Sequence, residues 1–435
     1  MVKLAELKFL LPGRRYNIFA GTSRWDEWLL VLKSYAGSAP YDDALIIKSY
    51  EEAFAAAAGT RYAFSFGSGR MSLYVILEAL RIGAGAEVII PAFTCVVVPN
   101  ALLYYGARPV YVDIDPITFN IDPLAVERAI TARTKAIYAQ HTFGVVCEID
   151  RLRSIADRHG LYLIEDAAHA LGASCNGKRA GSLGDVAFFS TDHSKVINTM
   201  LGGMITTNNQ ELAGRVAAIQ VRTPFLHAKQ VRGILRAFLS ERVFFASPIL
   251  WIGQTLQSLC RRLGLFFFFD DELELIKPTK YPYPCRLSSV QAQIGLLQLE
   301  GLDRNLGHRR TLAAWLESRV AWYRGTAGER IDDQSWLRYS FLVRNQDQLV
   351  NRFRRYFDLG LWFTSIAQGR MRDLESIGYV PGTCPTAEKV TRHIVNIPTH
   401  ERVPIHILEQ LWEEHGNWIS DNLYLLATRE EILRK

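Results

Sequence analysis

The chain has 435 residues, 49% hydrophobic and 22% charged, with a formal net charge of +6. Length allows two or three domains with a large buried core, and the composition excludes a disordered chain. The positive charge is small and scattered, gathering only around 222–242 and at Arg261-Arg262, so nucleic-acid binding is not implied; six widely spaced cysteines with no CxxC pair point to reduced thiols in a cytosolic protein and to no metal site.

The opening, "MVKLAELKFLLPGRRYNIF", has too short an apolar run and no small-residue cleavage signature for a secretory signal. Residues 1–60 read as a helical segment ending in the amphipathic "DALIIKSYEEAFAAAAG". From there strand, turn and helix alternate. "YAFSFGSGR" is a strand entering a glycine turn, and "MSLYVILEALRIG" is the helix after it. "AEVIIPA" and "RPVYVDID" are buried strands flanking a crossover helix, "CVVVPNALLYYG", which Gly106 ends. Asp122-Pro123 supplies an N-cap acid and a proline at the first helical position. "KAIYAQHTFG" and "LYLIEDAAHA" are strands on either side of the helix "EIDRLRSIADRHG". Alternation of this kind predicts an α/β fold, a mostly parallel sheet with helices on both faces.

Residues 231–269 interrupt the pattern with a strongly apolar stretch carrying Arg232, Arg236, Arg242, Arg261 and Arg262. Its longest uncharged run, Val243 to Cys260, contains Pro248, Gly253, Gln254 and Gln257, which suits helices lying on a bilayer surface or against a partner subunit better than a span. Extra core or dimer surface is the plainer alternative. Ser288 and Gln291 then form a capping box before a long helix. A large domain is expected over 61–304 and a smaller α+β domain over 305–435, the latter with strands at "SWLRYSFLV", "LGLWFTS" and "HIVNIPT".

Open parallel sheets bind ligands at the carboxyl ends of their strands, and four groups of residues fall there. Gly67, Ser68 and Gly69 form a turn whose following amides can face an anion. Glu165, Asp166 and His169 end the run "LIEDAAHA"; a buried carboxylate there needs a cationic partner, a protonated pyridine nitrogen or a structural Arg or Lys. His141 at "QHTFG" reads as a structural histidine. Lys195 follows Ser190 by five residues. An isolated lysine is usually a solvated one, but a lysine at the mouth of a desolvated site can hold a neutral amine that forms a Schiff base.

The order of these segments, from "SGR" through "PAFTCVVVPNALLYYGARPVYVDIDPITFNIDP", "TKAIYAQHTFG" and "LIEDAAHALGASCNGKRAGSLGDVAFFS" to Lys195 and Gly202-Gly203, resembles the DegT/DnrJ/EryC1/StrS aminotransferases. The resemblance implies a fold-type-I enzyme dependent on pyridoxal 5'-phosphate, with a homodimer whose sites borrow residues across the interface. It implies Lys195 as covalent tether and general acid/base, Asp166 as partner of the pyridinium nitrogen and His169 near the phenolic oxygen. Ser68, Gly69, Arg70 and Ser190 would cradle the phosphate, Cys95 would lie against the ring, and Arg286 would reach the neighbouring subunit's phosphate. Histidine stands at the lysine position in related sugar dehydratases, so Lys195 favours transfer of an amino group from glutamate to a nucleotide-linked keto sugar in amino-sugar or surface-polysaccharide biosynthesis.

Five departures bear on the substrate. Cys95 replaces an aromatic ring, Leu201 replaces the acid of Gly-Glu-Gly-Gly, Pro284 replaces the amide of Asn-x-Arg, Arg70 replaces a threonine, and "LWFTSIAQGRMRD" replaces the usual substrate loop of the small domain. The alternatives are a dehydratase or an aminotransferase for a non-nucleotide substrate, and a non-catalytic membrane-associated scaffold. The expected location is cytoplasmic, with peripheral contact at the inner membrane face through 231–269.

Overall fold

The central sheet places alternate residues of one strand in different cores: Val88, Ile90, Tyr138 and Ile164 pack on one face, and Ile89, Ile137 and Leu163 on the other. That period of two, in strands with no polar face, is what an α/β sheet covered on both sides requires. The computed structural model describes residues 16–17, 21–37, 41–246, 250–269, 276–324, 333–359, 361–369, 373–424 and 426.

In chain order the elements are β1 (Tyr16–Asn17), α1 (Trp25–Ala36), α2 (Ala44–Ala58), β2 (Tyr62–Phe66), α3 (Gly69–Leu80), β3 (Glu87–Pro91), α4 (Val97–Tyr105), β4 (Arg108–Val112), α5 (Pro123–Ala129), β5 (Thr134–Gln140), α6 (Ile149–His159) and β6 (Tyr162–Asp166). There follow β7 (Ser174–Cys175), β8 (Lys178–Arg179), β9 (Val186–Ser190), β10 (Gly203–Thr207), α7 (Gln210–Arg222), α8 (Ala228–Phe244), α9 (Leu250–Arg262), α10 (Ser289–Glu300) and α11 (Leu302–Arg324). Last come β11 (Arg338–Leu342), α12 (Gln346–Phe353), β12 (Phe357–Asp358), α13 (Pro385–Thr391), β13 (Ile394–Pro398) and α14 (Ile405–Asn422).

The seven-stranded sheet has the order β2-β10-β9-β6-β5-β3-β4. Only β10 runs antiparallel, against β2 and β9, so the other six strands deliver their carboxyl ends to one edge. The caps lie where sequence places them: Asp122 accepts from the Leu124 amide with Pro123 opening α5, and Ser288 and Gln291 close the box that starts α10. β11 and β13 pair antiparallel in a second core with α11–α14, which Ala92, Phe93 and Phe143 join from the larger sheet. The expected division at 304–305 falls inside one continuous helix, α11.

Two expectations change. "LGLWFTS" forms no strand among its described residues: the Trp362 amide bonds the Asn396 side chain at 2.7 Å and the Thr364 amide bonds that of Gln368 at 2.7 Å, so both donors go to side chains rather than a ladder. The apolar stretch 231–269 is not one surface. Val231, Ile234, Leu235, Ala237 and Phe238 of α8 are buried with Met71, Tyr74, Met200 and Leu201, as extra core, whereas α9 keeps Ile252, Leu256 and Leu259 exposed. Among the described residues no helix is long and apolar enough to cross a membrane.

Candidate active site

Every site residue that the family resemblance implies, except Arg286, lines one cavity of about 190 Å³ at the carboxyl edge of the sheet; Gly67, His141 and Glu165 do not line it. The turn after β2 brings Ser68 to the start of α3, where its hydroxyl accepts from the Met71 amide. The first amides of a helix have no intrahelical acceptor, so Gly69 and Arg70 open a place for an anion. Close backbone approach makes this floor: a Cβ on Gly203 would lie 2.3 Å from the Ser68 carbonyl, and one on Gly69 would meet the Ser190 Cβ at 3.0 Å.

β6 ends on Asp166, whose neighbour in register is Gln140. The Tyr138 hydroxyl donates to Asp166 Oδ2 at 2.5 Å and the Ala168 amide to Oδ1 at 2.9 Å. Burial pushes the Asp166 carboxyl above its ordinary range, against these two bonds and the Lys195 charge. Adjacent Glu165 points to the other face of the strand. It accepts from the amides of Gly181, Leu183 and Gly184 at 2.8, 2.6 and 2.6 Å, and from His141 Nε2 at 3.1 Å, which makes His141 a structural residue.

His169 stacks on Phe143 with rings 6° from parallel, and its Nδ1 accepts from the Phe143 amide at 3.2 Å. That bond leaves the ring proton on Nε2. Burial, reinforced by Lys195 and Arg338, holds the imidazole well below its usual pKa, so it is neutral.

The chain from Thr191 to Gly202 is a loop braced by its own backbone, with Thr191 N to Gly202 O at 2.9 Å, Thr199 N to Thr191 O at 2.9 Å and Lys195 N to Asp192 O at 2.9 Å. Its tip presents Lys195, whose ammonium lies 5.7 Å from the centre of the Trp362 ring. Burial draws the Lys195 amine below the ordinary lysine value; Arg338 acts the same way, and Asp192 and Asp166 oppose. Asp192 stands 2.7 Å from His193 Nδ1, and although burial would raise its carboxyl, that partner holds it at about 2. Glu241 of α8 braces the loop from below: its carboxylate takes both bonds from Asn198 Nδ2, at 3.1 and 3.0 Å.

The departures find local reasons. Leu201 is buried against the apolar residues of α8, where an acid would be desolvated. Aromatic surface absent at Cys95 is present in Trp362 and Phe363, which line the same cavity. Arg286 lies elsewhere, its guanidinium 4.5 Å from the centre of the Phe225 ring, in a separate cavity shared with Tyr41 and Gln291. Sequence reasoning missed Tyr138, Gln140 and Arg338. Alternation along β5 puts Tyr138 and Gln140 on the face next to Asp166, a signal available once β6 is paired with it. Arg338, 3% exposed, has its guanidinium 4.2 Å from the centre of the Trp362 ring, and burial lowers it to about 9. Nothing local in the sequence marks it.

A neutral-prone lysine, a buried carboxyl and a helix start flanked by Ser68, Ser190 and Arg70 match the three demands of a pyridine aldehyde phosphate: an amine for the aldehyde, an acid for the ring nitrogen and donors for the phosphate. No group of His, Cys, Asp or Glu among the described residues has the arrangement of a metal site.

A second cavity, about 560 Å³, opens beside the first and shares Arg70, Asp192, His193, Leu201 and Phe269 with it.

Known proteins share the chain's sequence pattern and its fold. The sequence pattern of the DegT/DnrJ/EryC1/StrS aminotransferase family matches residues 37–233 and 267–410. GDP-perosamine synthase of Caulobacter vibrioides is 36% identical over 277 residues, 63% of this chain and 62% of that protein. L-glutamine:2-deoxy-scyllo-inosose aminotransferase of Streptoalloteichus tenebrarius is 47% identical over 163 residues, 38% of each chain. The matched region thus spans less than two thirds of these curated relatives. Among solved structures, DesV of S. venezuelae, in complex with a ketimine intermediate, superposes with a TM-score of 0.70 at 26% identity, covering 91% of this chain and 95% of that one.

Proposed function

This chain belongs to the DegT/DnrJ/EryC1/StrS aminotransferase family, and from that premise we propose that it is a pyridoxal-phosphate-dependent aminotransferase of amino-sugar or surface-polysaccharide biosynthesis. It takes the amino group of glutamate and gives it to a keto sugar, most simply one linked to a nucleotide. The observation that carries this is the convergence of Lys195, Asp166 and Ser190 on one cavity at the strand ends.

When bound, pyridoxal phosphate supplies a carbonyl carbon that accepts an amine and a ring that withdraws electrons from the carbon losing its proton. Lys195 would hold the cofactor through its amine and, as a base beside the substrate, would take and return that proton. Its lowered pKa keeps the amine available as a base. Asp166, ionised by a cationic ring nitrogen, keeps that nitrogen protonated. Neutral His169 donates from Nε2. Ser190, Ser68, Arg70 and the first amides of α3 hold the phosphate. Arg338, a buried cation beside Lys195, is the group suited to the donor's carboxylate.

Two finer points belong to the same proposal. The chain works as a homodimer. The exposed face of α9, with Arg262 at its end, rests on an anionic membrane surface. Flotation with anionic vesicles tests the latter; protein that stays below the vesicles, with or without Leu256→Ser and Leu259→Ser, contradicts it. Glutamine is a second donor reading, favoured by the printed name of the Streptoalloteichus relative. Supplying each donor with candidate keto sugars and measuring the keto acid formed per amino sugar tests the reaction and separates the donors; a dehydratase would consume neither donor stoichiometrically.

A further inference from the structure

The family's sequence pattern breaks between residues 233 and 267, and that gap contains all of α9. α9 has two unlike faces. Ile252, Leu256 and Leu259 recur at steps of four and three and are exposed. Gln254, Gln257, Ser258 and Arg261 recur at steps of three, one and three on the opposite side, and all four line the 560 Å³ cavity that adjoins the cofactor site. A polar stripe turned towards a cavity while the leucines face out is the reverse of what core packing would select. The cavity volume falls in the range of about 300–1,000 Å³ typical of small-molecule sites.

Among the described residues its lining carries two arginines and one acid, Asp192. Arg70 and Arg261 both line it. Asp192 stands 2.7 Å from His193 Nδ1 and also faces the charges of Lys195 and Arg70, so Arg261 is the cation left over. Arg261 lies 5.5 Å from the centre of the Phe268 ring, which fixes the guanidinium against an aromatic wall, and it forms no ion pair among the described residues. Arg261, the Gln257 amide and the Ser258 hydroxyl are donors for a phosphorylated sugar: the guanidinium for phosphoryl oxygens, Gln257 and Ser258 for ring hydroxyls.

We propose that this chamber is the acceptor-specificity site of the enzyme, that α9 and Phe268 form it within one chain, and that Arg261 binds a phosphate or pyrophosphate ester of the sugar. The inference rests on the aminotransferase reading and deepens it. The family pattern supplies the cofactor site, while a segment outside that pattern selects the acceptor.

The test is calorimetric titration of the cofactor-loaded protein with UDP, GDP, dTDP, glucose 1-phosphate and inorganic pyrophosphate. Loading fills the cofactor's own phosphate place, so an anion that binds only the unloaded protein overturns the proposal. At least one probe is expected to bind, with affinity falling tenfold or more in Arg261→Ala, less in Arg261→Lys, and threefold or more in Gln257→Ala. Nucleotide preferred over pyrophosphate identifies a nucleotide-linked acceptor, and equal affinity a simple phosphate ester; both support the site. No binding by the wild type, or unchanged affinity in variants that melt like the wild type, overturns it. Glutamate's effect on the cofactor band of the same wild-type sample is read separately: its absence sinks the aminotransferase reading, whereas its presence with no anion binding sinks this inference alone.

Discussion

Tyr138, two residues before the end of β5, donates its hydroxyl hydrogen to Asp166 Oδ2 at 2.5 Å at the end of the neighbouring strand β6. The bond holds down a carboxyl that burial pushes up. Tyr138→Phe removes it, so Asp166 is protonated over a wider pH range and offers less charge to a pyridinium nitrogen. Hydrogen bonds to charged groups contribute about 1.5–3 kcal/mol. Affinity for pyridoxal phosphate is therefore expected to fall roughly tenfold to hundredfold, measured by titrating the cofactor against intrinsic fluorescence.

Asp192 opposes the fall in the Lys195 pKa. Replacing it by asparagine removes a negative charge that stabilises the ammonium form, so the Lys195 pKa moves further down. The rate of cofactor attachment plotted against pH should rise to its plateau at lower pH in Asp192→Asn than in the wild type. A shift to higher pH would contradict the electrostatics described for the loop.

Gly203 lies between the ends of β2 and β9 and pairs with both Phe66 and Ser190. A methyl group there meets the Ser68 carbonyl, which is backbone and cannot rotate away. Gly203→Ala is expected to destabilise the fold by about 1–3 kcal/mol and to weaken cofactor binding by displacing the start of α3. Urea denaturation and cofactor titration on one preparation measure both.

Glu27 is buried in α1, where it accepts from the Arg24 amide at 2.8 Å and from Gln298 Nε2 at 2.6 Å. Burial raises its carboxyl to about 7. An unfolded glutamate titrates near ~4.3, so the native state binds a proton that the unfolded state has lost. Glu27's contribution is then whole below about pH 4 and is lost as pH rises through about 7. Glu27→Gln carries no such proton. Its stability relative to wild type should improve on going from pH 5 to 8, by on the order of 3 kcal/mol, in urea midpoints taken across that range.

Much of this was legible in the sequence, and the remainder was not, for physical reasons. Caps and turns are local, so Asp122-Pro123 and the Ser288–Gln291 box could be read directly. The strand ends carrying Asp166 and Ser190 followed from short Val- and Ile-rich runs, and Lys195 from its step after one of them. Tyr138 needed the β5–β6 register. Arg338 enters from a second core more than a hundred residues later, which no local pattern encodes. "LGLWFTS" has the aromatic content of a strand, but distant side chains, Asn396 and nearby Gln368, take its amides. The apolar stretch after Val231 held two helices of different fate, since hydrophobicity alone cannot say whether α8 is covered and α9 is not.

The most direct measurement is the absorption spectrum of the purified protein with pyridoxal phosphate, before and after glutamate, beside Lys195→Ala. The prediction is a visible band in the wild type that glutamate abolishes and that the variant lacks. No band at saturating cofactor, or the same band in Lys195→Ala, would contradict Lys195 as the group that holds the cofactor and moves the proton.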